Sequence, residues 1–77
     1  MEGLLEALKR AVPAIDWDTQ QENLLDDGIL DSIDVISIVA ELTTEFGIEI
    51  PPEEMEEDNF QSVQAMADMI RRIQEEE

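Results

Sequence analysis

Apolar residues recur at intervals of three and four along three separate stretches of the chain, which places each set on one face of an α-helix. The first stripe is Leu4, Leu5, Leu8, Val12 and Ile15. Pro13 lacks the N–H that a continuing helix needs, so this helix is expected to end near residues 12–15. Lys9 and Arg10 fall in its later turns, where cations favour the helix dipole. The second stripe, Val35, Ile38, Val39, Leu42 and Phe46, predicts a helix from about Asp31 to Phe46. Asp31 suits its N-cap, Asp34 three residues on resembles a shortened capping box, and Gly47 stands where a glycine ends a helix. The third stripe is Val63, Met66, Ala67, Ile70 and Ile73, with Ser62 as N-cap and Arg71 and Arg72 in the last turns.

Between these stripes the pattern breaks down. Residues 16–31 show no sustained period, and connections longer than roughly 12–15 residues are uncommon and often functional. Leu24, Leu25 and Ile29 are placed to pin this loop to the core, and Gly28 allows a left-handed turn. Ile48-Glu49-Ile50 reads as extended, because the residue before a proline is pushed out of the α region. Pro51-Pro52 leads into a short acidic turn or helix from Glu53 to Glu57. Residues 73–77 read as a fraying acidic tail. No repeat or internal boundary appears. The prediction is a single all-α domain over residues 1–77, a small four-helix bundle of three longer helices and one short one, with a long loop between helices 1 and 2.

One apolar set remains unplaced. Ile33, Ile36 and Ala40 lie on the second helix but turn away from its core stripe. Since that stripe already fills the inward side, the leftover strip reads as a surface for docking a partner rather than as ordinary core.

Composition narrows the chemistry. The 77 residues carry a net charge of −17, with no cysteine and no histidine. A disulfide scaffold and any zinc site built from those residues are excluded, and the usual general bases and thiolate nucleophiles are missing. Ser32 has no histidine to activate it, and a Ser–Lys pair would need Lys9 from another helix. No catalytic residue is assigned, and the chain is not expected to be an enzyme. A calcium loop with Gly28 at position six puts Leu25 at position three and Asp34 at position twelve, so an apolar side chain stands where an oxygen ligand is required. No metal site is assigned. The acidic balance repels nucleic acid and anionic membrane and attracts basic protein surfaces. No apolar run approaches a membrane span, and Met1-Glu2-Gly3 lacks the basic start of a secretory signal, so a soluble, cytoplasmic monomer is expected.

The segment Gly28-Ile29-Leu30-Asp31-Ser32-Ile33-Asp34 changes the picture. An Asp-Ser pair followed by a large aliphatic residue, at the start of the second helix after a long loop, resembles the prosthetic-group site of the acyl carrier protein family. Glu45-Phe46-Gly47-Ile48-Glu49-Ile50-Pro51 is similar to that family's loop after helix two, and Ser62-Val63-Gln64-Ala65 to the start of its last helix. The resemblance covers nearly the whole chain, in order. It implies that Ser32, within the motif Asp31-Ser32-Ile33, carries 4′-phosphopantetheine, whose thiol holds a cargo as a thioester. It also implies a phosphopantetheinyl transferase and acyl- or aminoacyl-transferring enzymes with basic patches as partners. The docking residues expected for them are Asp31, Ile33, Asp34, Ile36, Ala40, Glu41, Glu45, Glu53 and Glu54. The function implied is an acyl carrier of the fatty-acid or polyketide type.

Two departures bear on the pathway. Ser37, Thr43 and Thr44 occupy helix-two positions that are acidic in many fatty-acid carriers. The stretch from Pro51 to Ser62 is slightly longer than in those carriers, and with Asp58-Asn59-Phe60 it is similar to stand-alone aminoacyl carriers of the D-alanyl type. The alternatives are therefore an aminoacyl or peptidyl carrier and, in a different class, an acidic helical interaction module without a prosthetic group.

Overall fold

A computed structural model describes residues 2–76; Met1 and Glu77, the outermost residues of the leader and tail readings above, lie outside the described residues. Three α-helices follow in order, α1 (Leu4–Ala11), α2 (Ser32–Phe46) and α3 (Val63–Glu76). The short fourth helix expected over Glu53 to Glu57 is replaced by two separate single 3₁₀ turns, Pro52–Glu54 and Glu57–Asn59. The reason is local. Pro51 and Pro52 start the first turn, and Glu56 between the turns is extended, so no continuous i→i−4 ladder forms.

The helix ends obey the expected chemistry. Asp31 caps α2: its Oδ1 accepts from the Asp34 N–H at 2.9 Å, and Asp34 Oδ2 accepts in return from the Asp31 N–H at 3.3 Å. Asp34, the twelfth position of the calcium template, is thus engaged in closing a helix terminus. Gly47 ends α2 in the left-handed conformation (φ 61°), which costs a glycine little. Ser62 Oγ accepts from the Ala65 N–H at 2.9 Å and caps α3. That helix continues to Glu76, beyond the expected fray at 73, because Ile73 is buried and holds its last turn down. Arg71 and Arg72 consequently lie before the last turn, which carries no basic residue.

The core draws on every part of the chain. Leu4, Ala7, Leu8 and Val12 enter it from the first helix and its cap, Ile38 and Leu42 from α2, and Met66, Ala67, Met69, Ile70 and Ile73 from α3. Val35, Val39, Phe46 and Val63 pack against this cluster while staying half-buried. Ile48 seals the extended link. Among the described residues the buried set is wholly apolar, so no charge is stranded in low dielectric.

The long loop is a structural element in its own right. Trp17 and Leu24 are almost fully buried in it, and Leu30 nearly so. The indole N–H of Trp17 donates to the Val12 carbonyl at 3.0 Å, which satisfies its polar atom inside the core and fixes the chain just past α1. Gly28 takes φ 72°, the left-handed turn its position suggests. No helix among the described residues is long and apolar enough to cross a membrane.

Candidate functional site

The start of α2 is the point where the loop, the helix and the acidic segment converge. Ser32 is its first helical residue and is exposed. A serine in such a position ordinarily acts as the N-cap, but Asp31 performs that task here. Ser32 borders a surface cleft of about 350 Å³, whose lining also includes Leu25, Val35, Ile36, Met55 and Phe60. The cleft is small for a ligand site and more apolar than polar at its walls.

The electrostatics of this spot are mixed. A helix N-terminus presents backbone N–H groups and a partial positive charge, which favour a phosphate. Asp31 and Asp34 stand at the same terminus, and Glu56 and Glu57 line the cleft. A free anion would be held weakly against so many carboxylates. A phosphodiester bonded covalently to a serine has no such requirement, so the residues present fit an attached arm better than a reversibly bound one.

The expected docking residues separate into two groups. Ile33 and Ile36 are 71 % and 65 % exposed, and Ala40 continues the strip along the outward face of α2. Their spacing of three and four residues keeps them on one line beside Ser32. Asp31 and Glu53 are exposed and free to face a partner, with Asp34 half-buried at the cap. Glu41, Glu45 and Glu54, by contrast, are held within the molecule. Arg10 donates through Nε to Glu41 Oε2 at 3.1 Å and through Nη2 to Glu45 Oε1. Arg72 pairs with Glu54 at 3.2 Å and also donates to Asn59 Oδ1 at 3.2 Å. The hydroxyls of Thr43 and Thr44 donate to the carbonyls of Val39 and Ala40, back onto their own helix.

With Lys9 on Asp18 at 3.3 Å and Arg71 on Asp68 at 3.7 Å, each of the four cations of the chain is engaged by a carboxylate of the chain. The guanidinium of Arg10 is raised above the usual arginine range by its hydrogen bonds to Glu45 and then Glu41. A raised cation contributes its stabilisation at all ordinary pH and loses it only in strong alkali. Replacing Arg10 with Gln leaves Glu41 and Glu45 facing one another. The variant is expected to lose stability at pH 7, more in low salt than in high salt, in urea titrations run at both ionic strengths.

Sequence reasoning assigned only Ser32 and Ile36 of the cleft lining to the site, and it missed Met55 and Phe60 among others. Met55, 42 % exposed, and Phe60, buried, both line the cleft. The one available signal for Met55 is its isolation as an apolar residue inside the acidic run Glu53 to Asp58. The cap can be tested directly. Asp31→Ala should cost about 1 kcal/mol. That loss lowers the urea midpoint by roughly 1 M for a domain of this size. Asp31→Asn, which keeps an acceptor, should restore most of the loss.

A family model described as a phosphopantetheine attachment site matches residues 2–70. No curated protein and no solved structure shows significant similarity to the chain. The matched span covers α1, the long loop, α2, both 3₁₀ turns and the first half of α3. The chain therefore belongs to the phosphopantetheine-binding carrier family, whose members bear 4′-phosphopantetheine covalently on a serine and act as carriers rather than as catalysts.

Proposed function

We propose that Ser32 is the attachment serine and that the protein is an acyl carrier presenting thioester-bound cargo to biosynthetic enzymes. The observation that carries this reading is the family match, taken together with an exposed serine one residue past the N-cap of α2. The thiol at the end of the bound arm supplies the reactive sulfur that the cysteine-free chain lacks. The residues of this chain only hold and present it. Loading bonds Ser32 Oγ to the phosphorus of the arm and breaks the pyrophosphate bond of coenzyme A, with the nucleotide portion departing. The serine proton passes to a base on the transferase, so Ser32 needs no activating neighbour of its own.

Docking rests on the outward strip Ile33, Ile36 and Ala40, rimmed by Asp31, Asp34 and Glu53. A partner with a basic rim around an apolar centre fits this surface, since the charges steer approach and the isoleucines supply the buried area. Glu41, Glu45 and Glu54 contribute to the overall field while their contacts stay internal. The protein acts as a cytoplasmic monomer in this reading.

The second reading is a stand-alone aminoacyl carrier, and it rests on the likeness of the Pro51 to Ser62 stretch, with Asp58-Asn59-Phe60, to carriers of the D-alanyl type. The segment between Pro51 and Ser62 is ordered by its own bonds: Asn59 Nδ2 donates to the Glu54 carbonyl at 2.7 Å, and Phe60 is buried behind it. The test begins with the purified protein, coenzyme A and a broad-specificity phosphopantetheinyl transferase. A mass gain of one phosphopantetheine, mapped to the peptide that contains Ser32, supports the carrier. An unchanged mass favours an acidic interaction module instead. Capturing the native thioester and identifying an acyl or an aminoacyl cargo separates the two carrier readings.

A further inference from the structure

The cleft beside Ser32 is built from segments distant in sequence. Val35 and Ile36 of α2, Leu25 of the long loop and Phe60 ahead of α3 all line it. The gap between them depends on what ties the loop to residues 60–62.

Residues 23–30 are closed on themselves. The Asp27 N–H donates to the Asn23 carbonyl at 2.9 Å, the Gly28 N–H to Leu25 at 3.1 Å, and the Ile29 and Leu30 N–H groups both to Leu24 at 2.9 Å. Left-handed residues, Asn23 (φ 53°) and Gly28 (φ 72°), bracket the turn. A segment bonded in this way shifts as a unit. Its tie across to the other segment is made by Gln61. The Gln61 carbonyl accepts from the Leu24 N–H at 2.8 Å. Its side-chain Oε1 accepts from the Leu25 and Asp26 N–H groups at 3.1 and 3.2 Å, and its Nε2 donates to Asp26 Oδ1 at 3.0 Å. An acceptor for two adjacent amides and a donor for the neighbouring carboxylate are both required, and a carboxamide supplies them together.

We infer that Gln61 is a positioning residue that latches Leu25 to Phe60 and thereby sets the width of the cleft that shelters the cargo end of the arm. This rests on the carrier reading for its role, while the latch itself exists without the arm. Gln61→Glu removes the donor and sets a carboxylate against Asp26. Adding Asp26→Asn reverses the roles, so that the amide introduced in the loop donates and the carboxylate introduced opposite it accepts. The pair of changes also returns the net charge to that of the parent chain.

The experiment uses the unloaded protein first. In Gln61→Glu, and in Gln61→Ala as a second variant, amide exchange at Leu25 and Asp26 should accelerate about tenfold. Amides within α1 and α3 should hold their rates, and the neutral dye Nile red should bind the opened cleft more strongly. The Gln61→Glu/Asp26→Asn protein should recover parental exchange and dye binding. After loading with a hexanoyl arm, thioester cleavage by hydroxylamine should run severalfold faster in the single variants and return to the parental rate in the double. Unchanged exchange and dye binding in both single variants, or a double variant that rescues nothing, overturns the latch. Acceleration spread evenly over α1 and α3 also overturns it, since that marks a general loss of stability. Failure of the parent to accept an arm counts against the carrier reading alone and leaves the exchange result standing.

Discussion

Alanine in place of Ser32 is expected to abolish attachment of the arm while leaving the unfolding free energy within about 0.5 kcal/mol of the parent. The two outcomes separate because Ser32 contributes an oxygen and little else. It is exposed, and the capping bonds at the α2 terminus belong to Asp31 and Asp34, so its removal opens no cavity and orphans no donor. Intact mass after treatment with coenzyme A and transferase is the first readout, and urea unfolding is the second. Loading that persists in Ser32→Ala at the parental level would defeat the assignment of this serine. Thr in the same place supplies a hydroxyl crowded by a methyl group at a helix start, so Ser32→Thr should load slowly rather than not at all.

The second large effect is on stability. Trp17→Ala should cost about 3–5 kcal/mol, the range for emptying an aromatic site in a core. A domain of this length holds only about 4–12 kcal/mol in total at typical values per residue. The variant is therefore expected to lose a large share of its stability and to unfold at a much lower urea midpoint than the parent. Trp17 is 1 % exposed and lies in the long loop, so its loss also releases the chain between α1 and α2. Circular dichroism through a urea series gives the measurement, since the chain has a single tryptophan and the variant has no intrinsic indole signal. Trp17→Phe keeps most of the apolar volume and should retain a cooperative transition at a lower midpoint. A Trp17→Ala protein with a parental midpoint would show that the loop contributes nothing to the core.

The helices were legible in the sequence because each buries one side along a period. Val35, Ile38, Val39, Leu42 and Phe46 all face the core cluster, and Asp31, Gly47 and Ser62 mark the ends they were expected to mark. The outward strip Ile33, Ile36 and Ala40 was legible by subtraction. Trp17 and Leu30 were not, since an irregular loop has no repeating face and burial there depends on the tertiary path. Met69 shares the interval of the α3 stripe and shows that stripe to be wider than five residues indicate. The short fourth helix failed for a local reason, two 3₁₀ turns separated by an extended Glu56. The site divides in the same way. Ser32 and its cap sit within one short segment, whereas the partners of Glu41, Glu45 and Gln61 lie more than thirty residues away. Pairings over that separation leave no trace in a spacing pattern.

The engagement of all four cations by internal carboxylates has a colloidal consequence. Two copies meeting head-on bring only surplus negative charge to the encounter. Screened repulsion between bodies of −17 at the roughly 20–30 Å separations set by their dimensions amounts to a few kcal/mol in physiological salt. Burying one isoleucine against a neighbour returns about 1.5–3 kcal/mol. Those quantities are comparable, and association entropy stands against contact as well. The protein can thus leave two bare isoleucines in water at high concentration without self-adhesion, reserving them for a surface of opposite sign.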